Sequence, residues 1–419
     1  MNAVIITLDC LPLRLLGCYG NLRVRTPHLD RLASESIVFA QHVAAWVGEP
    51  FVGEPWWSAD PLEILRGKDV TETMRGGDAR ALRTLREHGV RTFWRGETRD
   101  RRRMPADRPF ESRAVFLGDD DLDADAAETP WAQSVNDAVR LVPRLYRTMR
   151  SPWLLWIQSA GIPVPWSAPR EWLLKYAEVD AGAPEEISEE EADAEDAEIA
   201  RLCDPARSGE WNAVDWKLAR ALCAGCVSYW DAQFGRLLAA LDSAEARRDG
   251  ENGGTMLIVV GGRGLTLSRR TEPPAGSAGL FSESAQTPLF VRVPGTRDGF
   301  RCQSLAQTRD LWPTLLDWFG VATPATETSA RSPSAPISLL SLVRNRDAVD
   351  RTIVQAAGRG MAAVRRSEEL TIVPLGDQSS PAQLFHKPED LWETLDVAAS
   401  SPDSVEQTVQ QLREWVAQT

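Results

Sequence analysis

A chain of 419 residues, 43% of them hydrophobic and 26% charged, carries enough apolar material to bury one large core or two smaller ones. Its formal net charge of -13 produces an average field that repels nucleic acid and anionic membrane surfaces, so neither is an expected partner. The six cysteines are scattered rather than spaced as a disulfide framework, which suits a reducing compartment.

The amino terminus runs straight into an apolar stretch over residues 3–8, with no basic n-region and no small-residue cleavage site. No apolar run approaches the roughly 20 residues needed to span a bilayer. A cytoplasmic location is therefore expected. The 3–8 stretch reads as a buried strand, and apolar residues three and four apart predict helices over 28–36, 79–88 and 133–150. Short apolar runs at 153–157, 256–260 and 289–293 read as further buried strands. Helical spacing returns over 218–242 and 309–319. Such alternation predicts an α/β fold with a mainly parallel sheet covered by helices on both faces, and ligands outside the carboxyl ends of its strands.

Within about residues 180–200, an acidic run without aromatic content reads as a solvated insertion, since like charges at that density resist packing. The polar stretch 323–336, rich in Pro, Ser, Thr and Ala, is expected to link a main domain over 1–335 to a small subdomain over 336–419. Cys223-Ala-Gly-Cys226 has metal-like spacing, but it is a single pair in an apolar helical pattern and reads as two buried thiols.

Asn2-Ala-Val-Ile-Ile-Thr-Leu-Asp9, Leu16-Gly-Cys-Tyr-Gly-Asn21, Thr26-Pro-His-Leu-Asp-Arg-Leu-Ala33 and Val38-Phe39, in this order and spacing, resemble the amino terminus of sulfatases, a branch of the alkaline phosphatase superfamily. The resemblance continues through Leu85-Arg-Glu-His-Gly-Val-Arg-Thr92, Tyr229-Trp-Asp231, Thr287-Pro-Leu-Phe-Val-Arg-Val-Pro-Gly295, Asp310-Leu-Trp-Pro-Thr-Leu-Leu316 and Gln383-Leu-Phe-His386. It implies an alkaline-phosphatase-like three-layer α/β/α sandwich with a mainly parallel central sheet, plus a small carboxyl-terminal α+β subdomain. It further implies that the first strand delivers Asp9 towards calcium or another divalent metal.

The same resemblance implies chemistry whose residues this chain lacks. Sulfatases attack sulfur with a formylglycine made from Cys or Ser in a Cys/Ser-x-Pro-x-Arg motif. Residues 40–65, where it belongs, contain no Cys, Thr or Arg, and their only hydroxyl is Ser58. By distance from Phe39 the nucleophile falls near Glu49, which cannot become formylglycine. The family's Ser-Asp-His-Gly, completing the metal site, corresponds to Gly261-Gly-Arg-Gly264, so that Gly262 and Arg263 replace two ligands. The His of its Pro-His-x-Pro loop corresponds to Pro163, and its Gly-Lys-x-His element to Gly96-Glu97-Thr98-Arg99. No lysine lies between Lys217 and Lys387, and all four histidines fall outside the expected catalytic positions.

These replacements predict a vestigial cleft of Asp9, Glu49, Glu97, Arg99, Pro163, Gly262 and Arg263, with no catalytic residue and no cofactor. Asp9 remains only as a vestigial ligand, and an ion pair with Arg263 is its expected compensation, because a buried carboxylate without a cation is costly. The expected function is that of a pseudoenzyme, a binding or scaffolding module for a protein or carbohydrate partner. The alternative is an active metal-dependent sulfuric or phosphate ester hydrolase with an atypical site around Asp9 and Glu49, drawing further ligands from loops such as Asp119 to Asp121. The sixteen tryptophans are expected mainly to fill the core, with stacking on a sugar as the competing use of Trp46, Trp56, Trp57, Trp94 and Trp166.

Overall fold

Nine consecutive buried residues, Asn2–Cys10, form the central strand β1, flanked by parallel strands on both sides, which is why its sequence is apolar rather than alternating. The computed structural model describes residues 1–48, 60–98, 110–117, 128–162, 166, 168–177, 189–203, 209, 211–247, 254–267, 279–296, 298–322, 335–344, 351–358, 360–375 and 381–417. After β1 come α1 (Pro27–Ser34), β2 (Ile37–Val43), the short β3 (Trp46–Val47), α2 (Pro61–Leu65) and α3 (Val70–Glu87). Then follow β4 (Arg91–Thr98), β5 (Ser112–Leu117), α4 (Pro130–Thr148), β6 (Trp153–Gly161), α5 (Arg170–Leu173) and α6 (Glu189–Leu202). The long α7 (Ala213–Ala246) leads into β7 (Thr255–Arg263), α8 (Ser282–Ala285), β8 (Leu289–Arg292), β9 (Phe300–Gln307) and α9 (Leu311–Trp318). The chain ends with α10 (Leu340–Arg344), β10 (Ile353–Gly358), β11 (Met361–Arg366), β12 (Glu369–Pro374), β13 (Gln383–His386) and α11 (Pro402–Ala417).

The eight-stranded main sheet has the order β5-β4-β6-β1-β7-β8-β2-β9, and only β8 runs against its neighbours. Helices α1, α4, α5 and α7 cover one face through a core holding Leu29, Val135, Leu173 and Leu222, while α3, α9 and α10 cover the other through Leu82, Leu85, Leu315 and Leu340. The three layers and the mainly parallel sheet match the expected α/β sandwich.

A second, five-stranded sheet has the order β13-β12-β11-β10-β3. Its edge strand β3 comes from residues 46–47, so the smaller unit draws on the main domain rather than only on the chain beyond residue 335. The residues on either side of that point are linked by a buried bidentate pair, in which Arg351 donates to both oxygens of Asp310 at 2.7 and 2.8 Å. The acidic insertion contains a helix, α6, whose last turn buries Ile199 and Leu202; residues 180–188 lie outside the described residues.

Candidate functional site

The carboxyl ends of β4, β6, β1 and β7 lie side by side in parallel register, and the pleat sorts their residues onto two faces. Val4, Ile6 and Leu8 share a core with Leu257, Val259 and Ile157 on the α7 side, whereas Ala3 and Ile5 pack with Ile258, Val260 and Trp156 on the α3 side. Carried to the strand ends, the same parity sends Glu97, Ser159, Cys10 and Arg263 towards α7. Asp9 and Gln158 go the other way, and Gly262 is level with Asp9.

On the α3 side, Asp9 is 4% exposed and accepts a hydrogen bond from Gln158 Nε2 at 3.3 Å on Oδ1. Just below it, Trp156 Nε1 donates to Thr7 Oγ1 at 2.9 Å, which fixes the indole under the edge. On the α7 side, buried Ser159 donates to Glu97 Oε1 at 2.6 Å and accepts from Trp230 Nε1 at 3.1 Å and from Gly161 N at 2.9 Å. Ala160 N donates to the same Glu97 oxygen at 2.7 Å. This network ties β4, β6 and α7 together, so Glu97 and Ser159 are engaged in holding strand ends rather than in presenting a reactive group.

Cys10 pairs with Arg263 across the β1–β7 register, and its thiol donates to Gly264 O at 3.6 Å. Burial pushes this thiol up, against the opposing pull of the Arg263 cation, and the Asp9 charge adds to the rise. The thiol stays neutral. The part-exposed Arg263 side chain has its Nε shielded from solvent and without a hydrogen-bond acceptor. Two glycines shape the edge by close approach: Gly161 has φ 70, and any Cβ there would drive into Cys10 O, which accepts from Ile162 N at 2.8 Å. A Cβ on Gly264 would strike Glu283 O, and its N–H donates to Ser284 O at 2.7 Å.

The sulfatase family model matches residues 1–321 of this chain. The chain belongs to the sulfatase family. Its similarity to mouse steryl-sulfatase is 54% identity, but over 44 residues, 10% of this chain and 7% of that protein. Human iduronate 2-sulfatase is 24% identical over 394 residues, covering 82% of this chain and 67% of its own length. The fold is shared with phosphonate monoester hydrolase of Agrobacterium radiobacter, at a TM-score of 0.72 and 18% identity, covering 100% of this chain and 95% of that one.

In this sulfatase-family chain Asp9, Glu97, Gly262 and Arg263 do gather at the carboxyl edge of the sheet, whereas Glu49, Arg99, Pro163 and Asp119 to Asp121 lie outside the described residues. The expected ion pair between Asp9 and Arg263 is not formed, and the reason is parity: the two side chains leave adjacent strands from opposite faces. Among the described residues, no group of three or more His, Cys, Asp or Glu side chains is placed to hold a metal ion.

Sequence reasoning passed over Cys10, Gln158, Ser159 and Trp230, which line the same edge. The available signal was positional, because Gln158 and Ser159 are polar residues directly after the apolar run of β6, where a strand leaves its core. Cys223 and Cys226 are buried within α7, and Trp94, Trp131, Trp166 and Trp230 are buried as core filling. Trp131 and Trp230 stack at 5.1 Å, joining α4 to α7. Trp56 and Trp57 lie outside the described residues.

Proposed function

We propose that this chain is a sulfatase-family protein without sulfatase turnover, acting in the cytoplasm as a binding or scaffolding module for a protein or carbohydrate partner. The observation that carries the reading is the composition of the carboxyl edge. Level with Asp9 stands Gly262, which has no side chain, and the next residue is a cation. A calcium-like ion takes six to eight oxygen ligands and a magnesium-like ion six, and both are repelled by a nearby guanidinium. The described donors, Asp9 with Gln158 beside it, do not fit such an ion. Ser159 and Glu97 supply no substitute nucleophile and base, since Ser159 is fully buried and both are committed to the strand-end network.

The test is turnover. Purified protein supplied with calcium, magnesium, manganese or zinc is expected to leave aryl sulfates and aryl phosphates at the uncatalysed rate. Saturable hydrolysis that disappears in Asp9→Ala would replace this reading with that of an active hydrolase around Asp9 and Glu49.

A further inference from the structure

We propose that a second copy of this chain docks on the apolar surface made by residues 20–25 and 387–397, giving a two-fold pair. The pairing stands whether or not the chain turns over an ester.

Large apolar side chains standing singly in water are ordinary, but several together mark an interaction surface. Those exposed among the described residues are Met1, Leu22, Val214, Leu391, Trp392 and Leu395. Val214 stands in the first turn of α7, and Met1 precedes β1, whereas the other four belong to two loops joined by one arginine. The Arg14 guanidinium lies 3.7 Å from the centroid of the Trp392 ring and donates to Leu391 O at 2.7 Å. Its own carbonyl oxygen accepts from Asn21 Nδ2 at 2.8 Å, and the next residue, Leu22, is 98% exposed. Both loops hold these side chains out on ordered backbone. Asn21 Oδ1 accepts from Arg23 N at 2.9 Å and Val24 N at 2.8 Å, just after Gly20 turns the chain at φ 102. In the other loop the buried Lys387–Glu393 ion pair spans the turn, and Lys387 Nζ also donates to Asp390 O at 2.8 Å. The Asp390 carboxylate accepts from Thr394 N and Leu395 N, both at 2.9 Å. Ordered loops lose little freedom on docking, so their apolar contact is kept as affinity.

The charges around the two loops select the occupant. Exposed Arg23 and Arg25 flank Leu22, whereas exposed Glu389 and Asp396 flank Leu391, Trp392 and Leu395. One lobe is basic and the other acidic. In a two-fold pair, residue i of one copy meets residue j of the other and j meets i, so each basic lobe faces an acidic one and the match is made twice. A partner surface of one sign, an anionic membrane included, would suit one lobe and be repelled by the other. Two chains of net charge -13 repel at long range, but a Debye length of about 8 Å at physiological salt screens that field and leaves the close charges to act.

Sedimentation equilibrium of the full chain at physiological salt tests this, at concentrations up to about 100 μM, where a micromolar pair saturates. A mass rising from 46.3 kDa to twice that value, and no further, is expected. Leu22→Asp and Trp392→Glu should each weaken the pair by about tenfold or more, whereas Val214→Asp should leave it unchanged. Arg23→Glu with Arg25→Glu makes both lobes acidic. Glu389→Arg with Asp396→Asn makes neither acidic, while the amide keeps the bonds that Asp396 accepts from Leu384 N and Ala398 N. Either charge variant alone should be monomeric, and an equimolar mixture should restore a dimer with one chain of each. That mixture carries the test if an apolar variant fails to fold. A chain monomeric at every concentration, a mass that climbs beyond the dimer, a dimer indifferent to these substitutions, or charge variants that do not recover on mixing would overturn the proposal.

Discussion

Asp231 is buried in the middle of α7 and accepts from His28 N at 3.1 Å and Leu29 N at 2.8 Å, so a single carboxylate from one helix caps the start of another. Burial pushes its pKa up to about 7, against the two backbone donors, with Asp30 adding to the rise and Lys175 opposing it. A carboxyl raised in the fold binds protons there that the unfolded chain has released. Its contribution to stability is therefore fully present below the unfolded value of about 3.9 and is lost as pH rises through about 7. Urea denaturation of wild type and Asp231→Asn across this window should show wild type losing stability relative to the variant as pH rises; a constant difference would contradict the assignment. At Gly161, alanine would place a Cβ against Cys10 O in a backbone conformation that favours glycine. It should cost about 2 kcal/mol or more in the same assay. The resemblance to sulfatases placed Asp9, Gly262 and Arg263 at one edge, because it sets the end of β1 beside the end of β7. It did not announce that Asp9 and Arg263 face apart, because this depends on counting pleat parity to the last residue of two strands, where a shift of one reverses the answer.

At the scale of elements, the runs 3–8, 153–157 and 256–260 were legible because strands buried on both faces must be continuously apolar. The strand β9 was hidden: exposed Arg301 and Gln303 flank buried Cys302 and interrupt any continuous apolar run, since the strand lies at the edge of the sheet. Helix α3 starts at Val70, nine residues before its expected start, because Asp69 caps it by accepting from Glu72 N at 3.1 Å. The contribution of β3 to the second sheet was illegible, as two residues carry no periodicity. The clasp between α9 and the start of the second sheet is the Asp310–Arg351 pair, whose carboxylate also accepts from Gln307 N at 2.7 Å and Ile337 N at 3.0 Å. Arg351→Ala would strand a buried charge and should lower stability by about 3–5 kcal/mol. Arg351→Met combined with Asp310→Leu should recover part of that loss. A single variant as stable as wild type, measured by chemical denaturation, would show that the clasp is not a structural anchor.

For the molecule as a whole, a sulfatase-family chain folds as a mainly parallel sheet between two helical layers, and at the carboxyl edge of that sheet Asp9 stands level with Gly262, beside Arg263. Conservation of a fold places a site but does not specify its chemistry. The account rests on a claim about charge: the edge around Asp9 and Arg263 is unsuited to a divalent cation. The most direct measurement is elemental analysis of purified protein equilibrated with calcium, magnesium, manganese and zinc, run beside Asp9→Ala. The account predicts no stoichiometric metal in either protein. One bound metal per chain that disappears in Asp9→Ala would contradict it and return the molecule to the hydrolases of its family.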